Sequence, residues 1–142
     1  MNHPYIYLAC FIPYHKLLPK LSDIQRTCLD RIIYHPHVTV RYRPEDVDET
    51  LFGTPVRIRV TGYGNDGRNE GLGVSLSTEN PELQKLTDGI EVPHITLSVA
   101  AGSNAADTRN LTFLPIEPFE ITGRYGGFIT DSRIITRPPK NE

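Results

Sequence analysis

Apolar and polar positions change rhythm along this chain in blocks, and each change marks the boundary of an expected element. Residues 5–12 (YIYLACFI) form a continuous apolar run of strand length that stops at Pro13, which reads as a buried strand. Leu17, Leu21, Ile24, Cys28 and Ile32 then recur at helical spacing, with Pro19 restricting the helix to a start near it. A second strand is predicted over residues 37–43 (HVTVRYR), followed by an acidic stretch, 44–50, that reads as a short exposed helix or turn. Residues 56–61 (VRIRVT) alternate strictly and 71–77 (GLGVSLS) are again strand-like. The turn-rich GYGNDGRNE between them predicts a hairpin with a long tip.

Ser77, Thr78 or Asn80 can cap a short helix over 81–88 that Gly89 ends, and the next strand is predicted at 94–100 (HITLSVA). Beyond it, 102–110 reads as a mobile loop, strand-like stretches lie near 119–122 and 127–135, and the tail from Pro138 is expected to fray. Strands and helices are mixed, so the expected class is α+β, in a single domain over residues 1–142. One order recurs: a strand, a helix, then a strand that opens Pro-His-x-Thr-apolar.

Composition changes this picture little. A hydrophobic fraction of 38% and a charged fraction of 23% belong to a chain that folds. No apolar run approaches the ~20 residues that span a bilayer, and residues 1–14 lack a positive start and a small-residue cleavage site, so the expectation is a soluble, unexported, cytoplasmic protein. Cys10 and Cys28 fall in apolar, strand-like and helix-like runs and are expected as reduced, packed thiols. The net charge of −2 hides an asymmetry: residues 1–43 carry six Lys and Arg against two Asp and Glu, and the remainder nine against fifteen. That balance argues against an extended nucleic-acid footprint and leaves room for a small phosphate-bearing ligand.

The chemistry sits in the repeated unit. Pro36-His37-Val38-Thr39-Val40 and Pro93-His94-Ile95-Thr96-Leu97 match at each telling position. In a strand, a histidine and the threonine two residues on share a face, while the apolar residues between and after them point to the core. Thirteen threonines in 142 residues give a histidine about a 9% chance of a threonine at that offset. Two matches, both preceded by proline and both strand-like, are roughly a one-in-a-thousand coincidence, so the pair is read as functional.

Cleaving a phosphodiester at neutral pH needs a base for the attacking hydroxyl or water and an acid for the leaving oxygen. Two imidazoles fill both roles if one is neutral and the other protonated. Threonine hydroxyls can donate to the non-bridging phosphate oxygens as charge builds. A metal site is the competing use of the pair, although no further ligand-like residue stands beside either motif, and neither metal nor cofactor is expected. His35 precedes His37 by two residues and reads as a loop residue, and His3 and His15 as surface residues.

With these motifs the chain resembles the two-histidine (2H) phosphoesterase superfamily, defined by two H-x-[T/S]-apolar motifs, here HVTV at His37 and HITL at His94. The resemblance covers most of the chain and is nearest the compact bacterial, phage and viral members. It implies a bilobal, pseudo-symmetric α+β fold in which two small antiparallel sheets line a central cleft with helices outside. It also implies that His37 and His94 are the acid–base pair and Thr39 and Thr96 the phosphate-holding hydroxyls. The implied activity is metal-independent cleavage of a nucleotide phosphodiester. The substrate is a 2',3'-cyclic phosphate or a small or cyclic oligonucleotide, including 2'-5' oligoadenylates and cyclic signals of antiviral defence. A nucleotide-binding module without turnover and a metal-dependent hydrolase are the alternatives.

Three residues are expected to touch the substrate. Tyr7, sharing a strand face with Tyr5, can stack on a base or simply pack. Arg41 continues the face of His37 and Thr39 at the next even step, where it can reach a phosphate or pair with Glu45 or Asp46. Tyr125, flanked by Arg124 and the Gly126-Gly127 pair, can approach a ligand, although hairpin chemistry accounts for it equally well.

Overall fold

Eight β-strands organise the protein in a computed structural model that describes residues 3–130 and 133–138. They are β1 (Tyr7–Phe11), β2 (Arg31–Ile32), β3 (His37–Tyr42), β4 (Pro55–Asn65), β5 (Asn69–Ser77), β6 (His94–Val99), β7 (Leu114–Thr130) and β8 (Arg133–Ile135). Two α-helices join them: α1 (Tyr14–Leu17) and α2 (Pro81–Asp88). The class is α+β and mostly antiparallel sheet. Every strand pair is antiparallel, in the order β2-β6-β5-β4-β7-β1-β3, with β8 on the edge of β7. No described helix is long and apolar enough to cross a membrane.

One continuous sheet replaces the two separate sheets expected. The cause is the length of β7, which runs unbroken from Leu114 to Thr130 where separate strands are expected near 119–122 and 127–135. Its first part pairs with β4 from Leu114 to Arg124, and its second with β1 from Arg124 to Phe128. At Gly123 it passes so close to Ile58 and the Phe11 carbonyl that a Cβ would stand 3.0 Å from each, room that only glycine leaves. Outward from the β4–β7 pair the sheet runs to a motif strand on each side, with β2 beyond β6. On one side β1 leads through α1 to β3; on the other β5 leads through α2 to β6. The two strands that begin with the motif histidines stand at matching places, and β3 and β6 come into contact.

Other differences have local causes. In place of the helix expected to start near Pro19, the chain forms only α1 and a 3₁₀ turn over Leu18–Leu21 with Pro19 in its first turn, and the segment after it is held by side-chain bonds to Glu70 and Ser98. Leu17 and Leu21 still reach the core, and the chain beyond them is irregular up to β2. Cys28 is therefore exposed and Cys10 buried, both as free thiols. The hairpin tip is short: β4 continues to Asn65, β5 begins at Asn69, and the Asp66 carboxylate accepts from the N–H groups of Arg68 and Asn69. Residues 105–110, expected to be mobile, form a 3₁₀ turn capped by the Asn104 side chain. α2 lies where expected, with the Asn80 carbonyl oxygen accepting from Glu82 and Leu83. Of the tail expected to fray, residues 139–142 lie outside the described residues.

One cluster of buried side chains takes in both halves, including Leu8, Cys10 and Val38 from one and Leu72, Ile95 and Leu97 from the other. Val38 and Ile95, the residues between each histidine and threonine, are fully buried. Burying each contributes about 1.5–3 kcal/mol and fixes which face the flanking side chains present.

Candidate active site

His37 and Thr39 lie opposite Phe11 and Ala9 of β1; His94 and Thr96 lie opposite Gly73 and Gly71 of β5. The residue after each threonine is then skipped in the pairing, Val40 in β3 and Leu97 in β6, so both motifs end in a β-bulge at the same position.

The two imidazoles are held alike. His37 Nδ1 is 2.8 Å from the His35 carbonyl oxygen, and His94 Nδ1 is 2.7 Å from the Val92 carbonyl oxygen. A carbonyl only accepts, so Nδ1 carries a proton in each ring and Nε2 is left as the basic atom. Both rings are half-buried, and burial is the main reason both pKa values fall below the ordinary 6.5. The carbonyl contacts act the other way, the charges of His94 and His35 further disfavour protonation of His37, and Arg109 does so for His94. Both shifts favour the neutral rings near pH 7.

The threonines differ. Thr39 makes no hydrogen bond among the described residues, so its hydroxyl is free for a ligand. The Thr96 hydroxyl lies 2.9 Å from that of Thr108 and donates at 3.3 Å to the Ala105 carbonyl. Asn69 Nδ2 in turn donates to Thr108 Oγ1 at 3.0 Å. Gly71 and Gly73 let this segment lie flat on the sheet: a Cβ at Gly71 would run into Thr108 Cγ2, and one at Gly73 would stand 3.0 Å from the Phe113 ring. Thr108→Val removes a buried hydroxyl from this chain and is expected to cost about 1–3 kcal/mol by urea denaturation, with Thr108→Ser close to wild type. A loss below about 0.5 kcal/mol would show that the chain of hydroxyls holds nothing in place.

Neither a comparison with protein-family models nor a search of curated proteins finds a match for this chain. The site therefore rests on its own geometry.

Of the expected substrate contacts, one is in the site and two are not. Tyr7 is there, but its ring stacks on His37 at 4.9 Å between centroids and on Phe128 at 4.6 Å, and Phe11 lies 5.7 Å from His37. Its role is to hold the imidazole rather than to offer a free face to a base. Arg41 points the wrong way. The bulge at Val40 places it opposite Leu8, on the core-side face, beside Glu45, Asp46 and Asp48. The even-step count assumed an unbroken strand, and one extra residue reverses the face. Tyr125 lies opposite Cys10 on that same face, is 1% exposed, and packs edge-on against Phe52.

Arg109 is the cation the sequence reading missed. It is exposed, follows the Thr108 that meets Thr96, and has no hydrogen-bond or ion-pair partner among the described residues. No local pattern marks it, because it reaches His94 only through the fold of residues 105–113. Among the described residues, no group of three or more His, Cys, Asp and Glu is placed to hold a metal ion.

Proposed function

We propose that this protein is a metal-independent phosphodiesterase of the two-histidine kind, acting on a nucleotide phosphodiester. The observation that carries the reading is the matched pair: two imidazoles, each with Nδ1 tied to the carbonyl two residues earlier and each followed on its face by a threonine. The strand order, with β3 and β6 in contact and the charge of His94 acting on His37, supports a bilobal, pseudo-symmetric arrangement of one domain in which the motifs act together.

In this mechanism one neutral ring takes, at Nε2, the proton of a ribose hydroxyl or a water. That oxygen attacks phosphorus, and the other ring, protonated at Nε2, gives its proton to the leaving oxygen. Thr39, Thr96 and the Arg109 guanidinium meet the non-bridging oxygens as negative charge grows on them. If a neighbouring 2'-hydroxyl attacks, the product is a 2',3'-cyclic phosphate; if water attacks a cyclic phosphate, the ring opens. Cytoplasmic nucleotides, including cyclic oligonucleotide signals of antiviral defence, are the substrates this chemistry fits, with an anti-defence role if the source is viral.

The test is an incubation in chelator with 2',3'-cyclic mononucleotides, 2'-5' and 3'-5' oligoadenylates and cyclic di- and trinucleotides, read by chromatography. Consumption of at least one class is expected. Binding of a nucleotide without any product would establish a binding module instead, and activity that appears only with added zinc or manganese would establish a metal-dependent hydrolase.

A further inference from the structure

The bulge that turns Arg41 away turns another residue in. Past the skipped Val40, Tyr42 lies directly opposite Tyr7, and cross-strand partners project to the same face of a sheet. Tyr7 marks that face as the one carrying His37, because the two rings stack. Tyr42 therefore stands on the histidine face, and its side chain is open to solvent, at 61% exposure. Tyr7 and Phe128, in the same cross-strand row, stack on each other, so Tyr42 is the ring of that row with a face to spare.

A cation lies beside the Tyr42 ring. Arg43 places its guanidinium carbon 5.5 Å from the ring centroid. It does so from a left-handed backbone conformation, φ 50°, which is uncommon for a residue with a side chain, and its N–H is tied at 2.8 Å to the Ile6 carbonyl. A solvent-open tyrosine ring with a cation beside it can accept a flat π-system. From Ala9, opposite Thr39, to Tyr7, opposite Tyr42, is two strand residues, roughly 7 Å. That is about the reach from a phosphate held at Thr39 to the base of a flanking nucleotide.

We infer that Tyr42, with Arg43 beside it, is a nucleobase-stacking subsite beside the His37–Thr39 phosphate position, and that the substrate is an oligonucleotide, linear or cyclic, rather than a cyclic mononucleotide. This rests on the phosphodiesterase reading above. It adds a substrate class that the two motifs leave open: an oligonucleotide has a nucleotide flanking the cleaved bond to place on the ring.

The experiment compares wild type, Tyr42→Ala and Tyr42→Phe on 3'-5' and 2'-5' diadenylate, cyclic diadenylate and 2',3'-cyclic AMP. Wild type is expected to prefer one of the dinucleotides. Tyr42→Ala is expected to lower kcat/KM on it by about 10-fold or more, mostly through KM, with Tyr42→Phe near wild type and any turnover of cyclic AMP unchanged. The residue is exposed, so the variants should melt with the parent protein. Equal activity of Tyr42→Ala and wild type on the dinucleotide overturns the subsite, as does an equal loss on cyclic AMP or a wild-type enzyme that takes only cyclic AMP. In each of those cases phosphodiester cleavage stands. A wild type that consumes none of the four removes the phosphodiesterase reading for these substrates, and the subsite with it.

Discussion

His37→Ala and His94→Ala are each expected to lower turnover of the best substrate by about 10²- to 10⁴-fold, because each removes one of the two proton transfers. The double variant should fall little further, since acid and base act as one unit and losing either already stops the concerted step. Both rings are half-exposed and neither is a core residue, so the variants should keep the parent's thermal midpoint. The pH profile adds a second reading. Burial, the like charges of His94 and His35, and the Arg109 charge all favour the neutral rings. The acidic limb of kcat/KM should therefore lie below pH 6.5, the ordinary value for histidine. A variant that keeps more than about a tenth of wild-type activity would remove that histidine from the mechanism.

Glu70→Ala is expected to cost about 3–5 kcal/mol of folding stability, with a drop in Tm of roughly 10 °C. Glu70 is 0% exposed, yet its carboxylate is fully engaged. Arg26 holds it with two bonds of 2.8 and 2.9 Å, and the hydroxyls of Tyr63 and Ser98 donate to it at 2.7 Å each. Ser98 belongs to β6, two residues past Thr96, and also accepts from the Leu29 N–H. One carboxylate thus pins the irregular segment after Leu21 to the back of the strand that carries the second motif.

Burial alone would raise the Glu70 pKa, but the bonds from Arg26, Ser98 and Tyr63 outweigh it and hold the carboxyl below its usual 4.5. A depressed carboxyl stabilises the fold above the unfolded-state value, and that contribution is lost as pH falls through the folded one. Stability should therefore drop from about pH 4.5 downward in the wild type and less steeply in Glu70→Ala. Arg26→Ala in the Glu70→Ala background should cost much less than Arg26→Ala alone, as partners of one network do. Additive losses, or a Glu70→Ala cost below about 1 kcal/mol, would show that the network is not what holds the segment.

Neither residue of that ion pair stood out in the sequence. Glu70 ended a turn-rich stretch and Arg26 sat on the polar side of an expected helix, and the two meet across 44 positions. Arg109 and Thr108 escaped for the same reason. They stand in a loop-like stretch, and only Gly71 and Gly73, by carrying no side chain, let that stretch lie against Thr96.

What the sequence determined by itself was the α+β class, the motif strands β3 and β6, α2 with a cap among Ser77, Thr78 and Asn80, and the duplication of His-x-Thr. These are local matters: alternation, β-branching and capping act within a few residues, and the same short pattern occurring twice is visible without a fold. The tertiary structure decided everything that depends on register. It turned Arg41 to the core side and Tyr42 to the histidine side, because one skipped residue after Thr39 exchanges the faces of all that follow in β3, and it put Tyr125 on the core side by pairing it with Cys10 of β1. It also merged two expected sheets into one through β7, since pairing with β4 and then β1 satisfies that strand's backbone along its length, and no local pattern encodes such partners.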